Sequence, residues 1–125
     1  NAFNDLTRAV ELDPNNAEAH DDLGVLYAQR GELNRALQHF ATTIRLDPIY
    51  QKAHHNMALA LTLGGKWDHA LAAVNEALQL QNTRESLMLK SVILERMGRS
   101  EEAQWIKDEA EQIAQGGWTE RASVR

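Results

Sequence analysis

Several kinds of function are excluded by what this chain of 125 residues lacks. It contains no cysteine, so disulfides, thiolate metal sites and cysteine nucleophiles are ruled out. Its longest apolar run, at residues 57–65, is far shorter than the ~18 residues of a membrane span, so we expect no direct membrane insertion. Only 13 Lys and Arg stand against 18 Asp and Glu, a net charge of -5, which disfavours nucleic acid as a partner. We expect a soluble protein, with the cytoplasm favoured and the compartment otherwise unknown.

Proline is also scarce, and both prolines lie in a phrase that occurs twice. LDPNNAEAH at residues 12–20 returns as LDPIYQKAH at residues 46–54, a shift of 34 residues. The same shift aligns Gly31 with Gly65, and a step of 33 then reaches Gly98. Three further columns follow this spacing: Ala2, Ala36, Ala70 and Ala103; Ala9, Thr43, Ala77 and Ala110; Leu12, Leu46, Leu80 and Ile113. The sequence therefore contains an internal repeat, with one residue deleted near residues 81–84.

Within each repeat the apolar residues recur at intervals of three and four, which indicates amphipathic helices rather than strands. The glycine column suits the positive-φ residue that ends a helix, and proline disfavours helix in the residue before it. Two helices joined by so tight a turn must be antiparallel. The sequence predicts an all-α fold with seven helices, at about residues 2–12, 17–30, 33–46, 51–64, 67–80, 84–97 and 100–115.

These positions resemble the tetratricopeptide repeat, whose pattern is W-x2-L-G-x2-Y, then A-x3-F, then P. The first full unit carries His20, Leu23, Gly24, Tyr27, Ala36, Phe40 and Pro48, with His in place of Trp. The second and third units match more loosely. The resemblance implies a right-handed superhelical solenoid of about three full repeats plus a leading half repeat. The expected units are residues 1–14 (second helix of an upstream repeat), 15–48, 49–82, 83–115 with a C-terminal cap, and a flexible tail over 116–125.

The resemblance also implies a non-catalytic scaffold whose first helices line a concave groove for a segment of a partner protein. The groove positions of the family fall on Asp21, Asp22, Lys52, His55, Asn56, Leu59, Met88, Leu89, Val92 and Arg96. Along the groove these residues change from acidic in the first unit to polar in the second and apolar in the third. We therefore expect a protein or peptide partner with basic and apolar segments. Asn56 is the strongest single candidate, since its amide both donates and accepts. The alternative is that these charges are merely solvated.

One subclass of the family clamps the C-terminal carboxylate of heat-shock chaperones with Lys and Asn in one unit, Asn in the next, and Lys and Arg in the third. Here only Asn56 matches, and the other positions hold Asp21, Val25, Glu85 and Leu89. An acidic groove entrance repels an acidic tail. The sequence therefore predicts no binding of chaperone tails.

Five histidines raise the question of catalysis or metal binding. His20 and His54 occupy the repeat position where the family keeps a packing aromatic, so we expect half-buried rings between helices. Adjacent His54 and His55 point about 100° apart on a helix, and no H-x3-H spacing occurs. His39 and His69 are expected on the surface. We therefore expect no catalytic residue, no metal site and no cofactor.

Self-association is the main alternative function, followed by a role as the targeting arm of a larger enzyme. Residues 1–14 lack the first helix of their repeat, which leaves the face around Phe3, Leu6 and Val10 uncovered. Together with the initial Asn, this predicts a fragment or processed chain, and it makes the open N-terminal end the candidate surface for a homodimer. Trp105 and Trp118 either cap the last helix or contact another chain.

Overall fold

A computed structural model of the protein describes the backbone of residues 1–116 and the side chains of residues 1–113. This part of the chain forms seven helices and no strand: α1 (Ala2–Leu12), α2 (Ala17–Gln29), α3 (Leu33–Leu46), α4 (Gln51–Leu63), α5 (Trp67–Leu80), α6 (Arg84–Arg96) and α7 (Ser100–Gly116). Every predicted helix is confirmed, with ends correct to within one residue. The predictions for Trp118 and for a flexible tail fall outside the residues described.

The turn inside each helix pair is built on a glycine with positive φ. Gly31, Gly65 and Gly98 have φ values of 80°, 73° and 81°, a region that L side chains rarely adopt. At the end of α2 the Glu32 N–H donates to the Tyr27 carbonyl at 2.9 Å, and the Gly31 N–H donates to that of Ala28 at 3.0 Å. These two bonds define a Schellman motif, and the same pair closes α4 and α6. The predicted role of the glycine column is confirmed.

The repeated histidine fastens the start of a first helix to the Asp-Pro turn before it. His20 Nε2 lies 2.9 Å from the Pro14 carbonyl oxygen, and His54 Nε2 lies 3.0 Å from that of Pro48. Since a carbonyl can only accept, Nε2 carries the proton in both rings. Both side chains are half-buried, as the sequence predicts. The recurring nine-residue segment is thus the connection between two repeats, in which the histidine hydrogen-bonds to the turn.

Helices pack in sequence order, with α2 on α3, α4 on α5 and α6 on α7 as the closest pairs. Within the described residues the backbones of α2 and α4, and of α4 and α6, also lie close together, whereas the backbones of α1, α3, α5 and α7 do not approach one another. The array therefore bends toward α2, α4 and α6, called here the inner helices, and spreads at the outer helices α1, α3, α5 and α7. The all-α helical repeat fold is confirmed.

Small residues allow the layers to approach closely. Ala36, Ala70 and Ala103 of the alanine column are 0–2% exposed. A Cβ on Gly24 would lie 2.4 Å from Cε1 of the buried Phe40 ring, a separation that packed cores do not tolerate. Helices therefore cross closely at Gly24 and at these alanines.

The two ends of the array differ from its middle. No residue of α1 is fully buried, and Ala2 is exposed although its equivalents in the other outer helices are buried. In α7 the position of Leu37 and Leu71 is taken by Gln104, which is exposed. No helix within the described residues is long and apolar enough to cross a membrane.

Candidate functional site

The inner helices are joined by hydrogen bonds between side chains. Asn56 Nδ2 on α4 donates to both carboxylate oxygens of Asp21 on α2, at 3.1 and 3.2 Å. Asp21 has no exposed surface. A buried carboxylate is tolerated when it is hydrogen-bonded, so this pair fixes α2 against α4 and orients the Asn56 amide. Among the described residues Asn56 Oδ1 accepts no hydrogen bond, which leaves it available to a ligand donor.

A second connection joins α4 to α6. Ser86 Oγ lies 2.8 Å from His55 Nδ1 and accepts from Gln51 Nε2 at 3.1 Å. Burial lowers the pKa of His55, and the nearby Glu85 carboxylate acts in the opposite direction. Ser86 is fully buried, so this serine–histidine contact is closed to a substrate in this conformation. The contact fixes the spacing of α4 and α6.

Acidic groups converge at the α2 end of the inner face. Burial raises the pKa of Asp21, against the Asn56 hydrogen bond and the Lys52 charge, which lower it. The carboxylates of Asp22 and Glu18 also raise it. Burial raises the pKa of the Tyr50 hydroxyl, and so do the nearby carboxylates of Asp21, Glu18, Asp22 and Asp47. The negative potential here is therefore shared by several groups, with Lys52 as the opposing charge.

Next to the acidic groups the inner face is apolar and open. Leu59, Leu63 and Val92 are 43%, 62% and 46% exposed. Between α2 and α4 lies a cavity of about 170 Å³, in which Asn56 is bordered by Val25 and Leu59. Exposed leucines beside a cavity with one oriented amide fit a ligand that has both an apolar side chain and a backbone N–H.

The structure distributes the ten predicted groove residues among three environments. Lys52, Leu59, Val92 and Arg96 are exposed, and Asp22, His55, Asn56 and Met88 are half-buried. Asp21 and Leu89 lie inside: Asp21 is bonded to Asn56, and Leu89 is 9% exposed in a core cluster with Ile93 and Val74. These two residues therefore support the face, and a ligand would meet the other eight first.

The sequence interpretation overlooked Tyr50, Gln51 and Ser86. A signal for Ser86 exists, because a shift of 33 places it in the column of Ala53, which is buried. A hydroxyl at a buried alanine position needs a hydrogen-bond partner. The signal for Tyr50 is weaker: it begins α4 where Asn16 begins α2, and only the fold brings it near the acidic groups.

His39, expected on the surface, is half-buried and stacks on Tyr27, with the ring centroids 5.4 Å apart and the planes at 11°. That expectation was wrong, because Tyr27 of α2 covers the ring. His69 is exposed, as expected. Within the described residues no group of three or more His, Cys, Asp or Glu side chains is placed to hold a metal ion.

Comparison with known proteins gives consistent results. A family model described as tetratricopeptide repeat matches residues 6–38. The structure of MamA AMB-1 is similar with a TM-score of 0.80 and 26% identity, over 98% of this chain and 68% of that one. Another MamA crystal structure gives 0.82 and 20% identity, over 89% and 66% of the two chains.

The structure of YrrB, described as a TPR protein with an unusual peptide-binding site, gives a TM-score of 0.78 with 18% identity. The match covers 84% of this chain and 55% of YrrB. This chain therefore spans about two thirds of the MamA chains and about half of YrrB. The family model covers residues 6–38, and the fold is shared with these proteins over most of the chain, so this chain resembles tetratricopeptide-repeat proteins. Repeats of this kind typically serve as interaction scaffolds.

Proposed function

We propose that the inner face of α2, α4 and α6 binds an extended or helical segment of a partner protein. The observation that carries the proposal is the exposed apolar row of Leu59, Leu63 and Val92 beside the oriented Asn56 amide. Solvent-exposed apolar residues on a helix face are common singly, but here two leucines and a valine are exposed on two adjacent inner helices. The peptide-binding site of YrrB shows that a protein of similar fold binds peptides.

The charges on the inner face indicate the partner's chemistry. Asp22 and Glu18 lie at the α2 end, and the apolar row begins with Leu59 on α4. A segment with arginine or lysine at one end and aliphatic or aromatic side chains at the other is complementary to both regions. An acidic tail is not, so we retain the prediction that chaperone-type acidic C termini do not bind.

The experiment is a fluorescence anisotropy titration with a labelled synthetic peptide that has two arginines at one end and two leucines at the other. Saturable binding is expected, and Leu59→Glu or Val92→Glu should weaken it by about tenfold or more. Leu12→Glu is the matched control, since Leu12 is 77% exposed but lies at the end of α1, away from the inner helices.

Two results would overturn the proposal. One is undiminished binding in both glutamate variants, which would show that the peptide does not lie on the inner face. The other is equal affinity for an EEVD-type acidic peptide, which would remove the charge argument. Leu89→Glu is unsuitable as a test, because Leu89 belongs to the core and the variant is expected to unfold.

Self-association through α1 is the second candidate function. Its support is the incomplete burial of Leu6 and Ala9, whose equivalents Val74 and Ala77 in α5 are 0% exposed. A second copy packing there would bury these side chains. Sedimentation at several concentrations tests this, with Leu6→Glu expected to abolish the association if it uses this face.

A further inference from the structure

An open apolar groove lies on the outer surface, opposite the inner face. It runs between α3 and α5, has α4 as its floor and encloses about 420 Å³. Its walls are the apolar side chains of Ala41, Ile44, Met57, Leu61, Ala72 and Ala73. His69 and Glu76 of α5 stand at its edge. This groove is distinct from the peptide site proposed above.

The repeat itself shows what kind of group fills this position. In the preceding layer, a shift of 34 places Tyr27 at the position of Leu61 and His39 at that of Ala73. There the two rings stack, with centroids 5.4 Å apart and planes at 11°. The middle layer has replaced both rings by smaller side chains, so a space lined for a planar ring is left open.

The next layer presents such a ring. A shift of 33 places Ile106 at the position of Ala73 and Trp105 at that of Ala72. Ile106 is half-buried, whereas Trp105 is 77% exposed on α7. Trp105 therefore presents most of its indole to solvent, on the same outer surface as the groove and one layer further along the array.

We propose that two copies of this chain associate through their outer surfaces, with Trp105 of each copy inserted in the α3–α4–α5 groove of the other. Because the groove and Trp105 lie side by side on one surface, a two-fold axis between them lets both insertions form at once. Such an isologous contact closes on itself and produces a dimer rather than a filament. Glu76 at the groove edge offers a carboxylate to the indole N–H.

The area of contact limits the strength of this dimer. Burying a tryptophan removes about 150–250 Å² from solvent, so two insertions contribute well under the roughly 1,200–2,000 Å² of a standard stable interface. The surrounding α5 and α7 surfaces add to this, but the dimer should be weak and dependent on concentration. It leaves the inner face free, so peptide binding and dimerisation are independent.

Sedimentation equilibrium of the full chain over a wide concentration range tests the proposal. We expect a monomer–dimer equilibrium that Trp105→Ser weakens by at least about tenfold, because each substitution removes both anchors. Ala41→Glu, which places a charge in the exposed wall of the groove, should weaken it similarly. Circular dichroism checks that both surface variants remain folded.

A mixture of the two variants provides the sharper measurement. Trp105→Ser retains the groove and Ala41→Glu retains the tryptophan, so the mixture can form one of the two insertions and should associate more strongly than either variant alone. Ile49→Ser is the matched control, since Ile49 is 74% exposed but does not line the groove. A wild type that stays monomeric, or an association that either variant leaves unchanged, overturns the proposal.

Discussion

Asn56 and Asp21 form a hydrogen-bonded pair across two repeats, with Nδ2 of the amide 3.1 and 3.2 Å from the two carboxylate oxygens. Asp21 is 0% exposed, and burial raises its pKa despite this bond and the Lys52 charge. The carboxylate is therefore held in a position where its ionised form is less favourable than in water. Its benefit lies in orienting Asn56, at a cost in stability.

Asp21→Asn is predicted to increase stability at neutral pH. A raised native pKa means that the ionised group disfavours folding at every pH above the unfolded value near 3.8. The asparagine removes that charge while its Oδ1 still accepts from the Asn56 amide. Urea denaturation should show a gain at pH 7 that shrinks as the pH falls toward 4.

Asp21→Ala is the comparison for this prediction, because it removes the charge and the acceptor together. The Asn56 amide then loses its partner in a half-buried site, which costs about 1–3 kcal/mol. If the alanine and asparagine variants were equally stable, the hydrogen bond would have no part in holding α2 against α4.

Gly24→Ala is predicted to destabilise the protein by about 1–3 kcal/mol through overpacking. Its Cβ would lie 2.4 Å from Phe40 Cε1, and the 1% exposed ring has no room to withdraw. Gly64→Ala is the matched control, since its Cβ would meet only ordinary contacts, the nearest being Leu33 Cδ1 at 3.5 Å. Thermal unfolding of both variants measures the difference, and equal melting temperatures would contradict the close crossing of α2 and α3.

Helix positions could be predicted from the sequence because their signals are local. Gly31 and its equivalents have a conformation that favours glycine, and Pro14 and Pro48 mark the joints between pairs. The alanine column likewise marks a buried position at Ala36, Ala70 and Ala103. These features depend on one residue at a time and repeat several times, which makes the spacing reliable.

The role of each inner-face residue was harder to predict, because it depends on a side chain from another repeat. Asp21 and Leu89 have the spacing of groove residues on their own helices. Asp21 is nevertheless hydrogen-bonded to Asn56, and Leu89 belongs to a core cluster. Trp105 differs, since its equivalents in the other layers, Gln38 and Ala72, are exposed as well. The position of a residue on its helix predicts which face it occupies, but the side chains of neighbouring helices determine whether it is buried.

Lys52→Glu is predicted to strengthen binding of the peptide with two arginines and to steepen its salt dependence. Lys52 is exposed and is the charge that opposes Asp21, so the change makes the α2 end more negative. Complementary charge acts mainly on the association rate. Anisotropy titrations at low and moderate salt measure both effects. Weaker binding by the glutamate variant would place the basic end of the peptide elsewhere.

His39 is predicted to make the protein less stable as the pH falls below neutrality. His20 donates through Nε2 to Pro14, so its Nδ1 accepts from His39 Nδ1 across 3.2 Å. Burial, and then the nearness of His20, lowers the pKa of His39. Because the unfolded chain takes up the proton more readily, the stability contribution is complete above the unfolded pKa of about 6.5 and is lost as the pH falls from there through the lower pKa of folded His39.

Removing His39 should flatten this profile. His39→Phe keeps a ring against Tyr27, now without a group to titrate, and urea denaturation from pH 7.5 to 5 should show a smaller loss than in the wild type. Some loss will remain, because burial also lowers the pKa of His55. His69→Gln, on the exposed surface of α5, is the matched control. A wild-type profile that His39→Phe leaves unchanged would show that His39 does not contribute to the loss of stability.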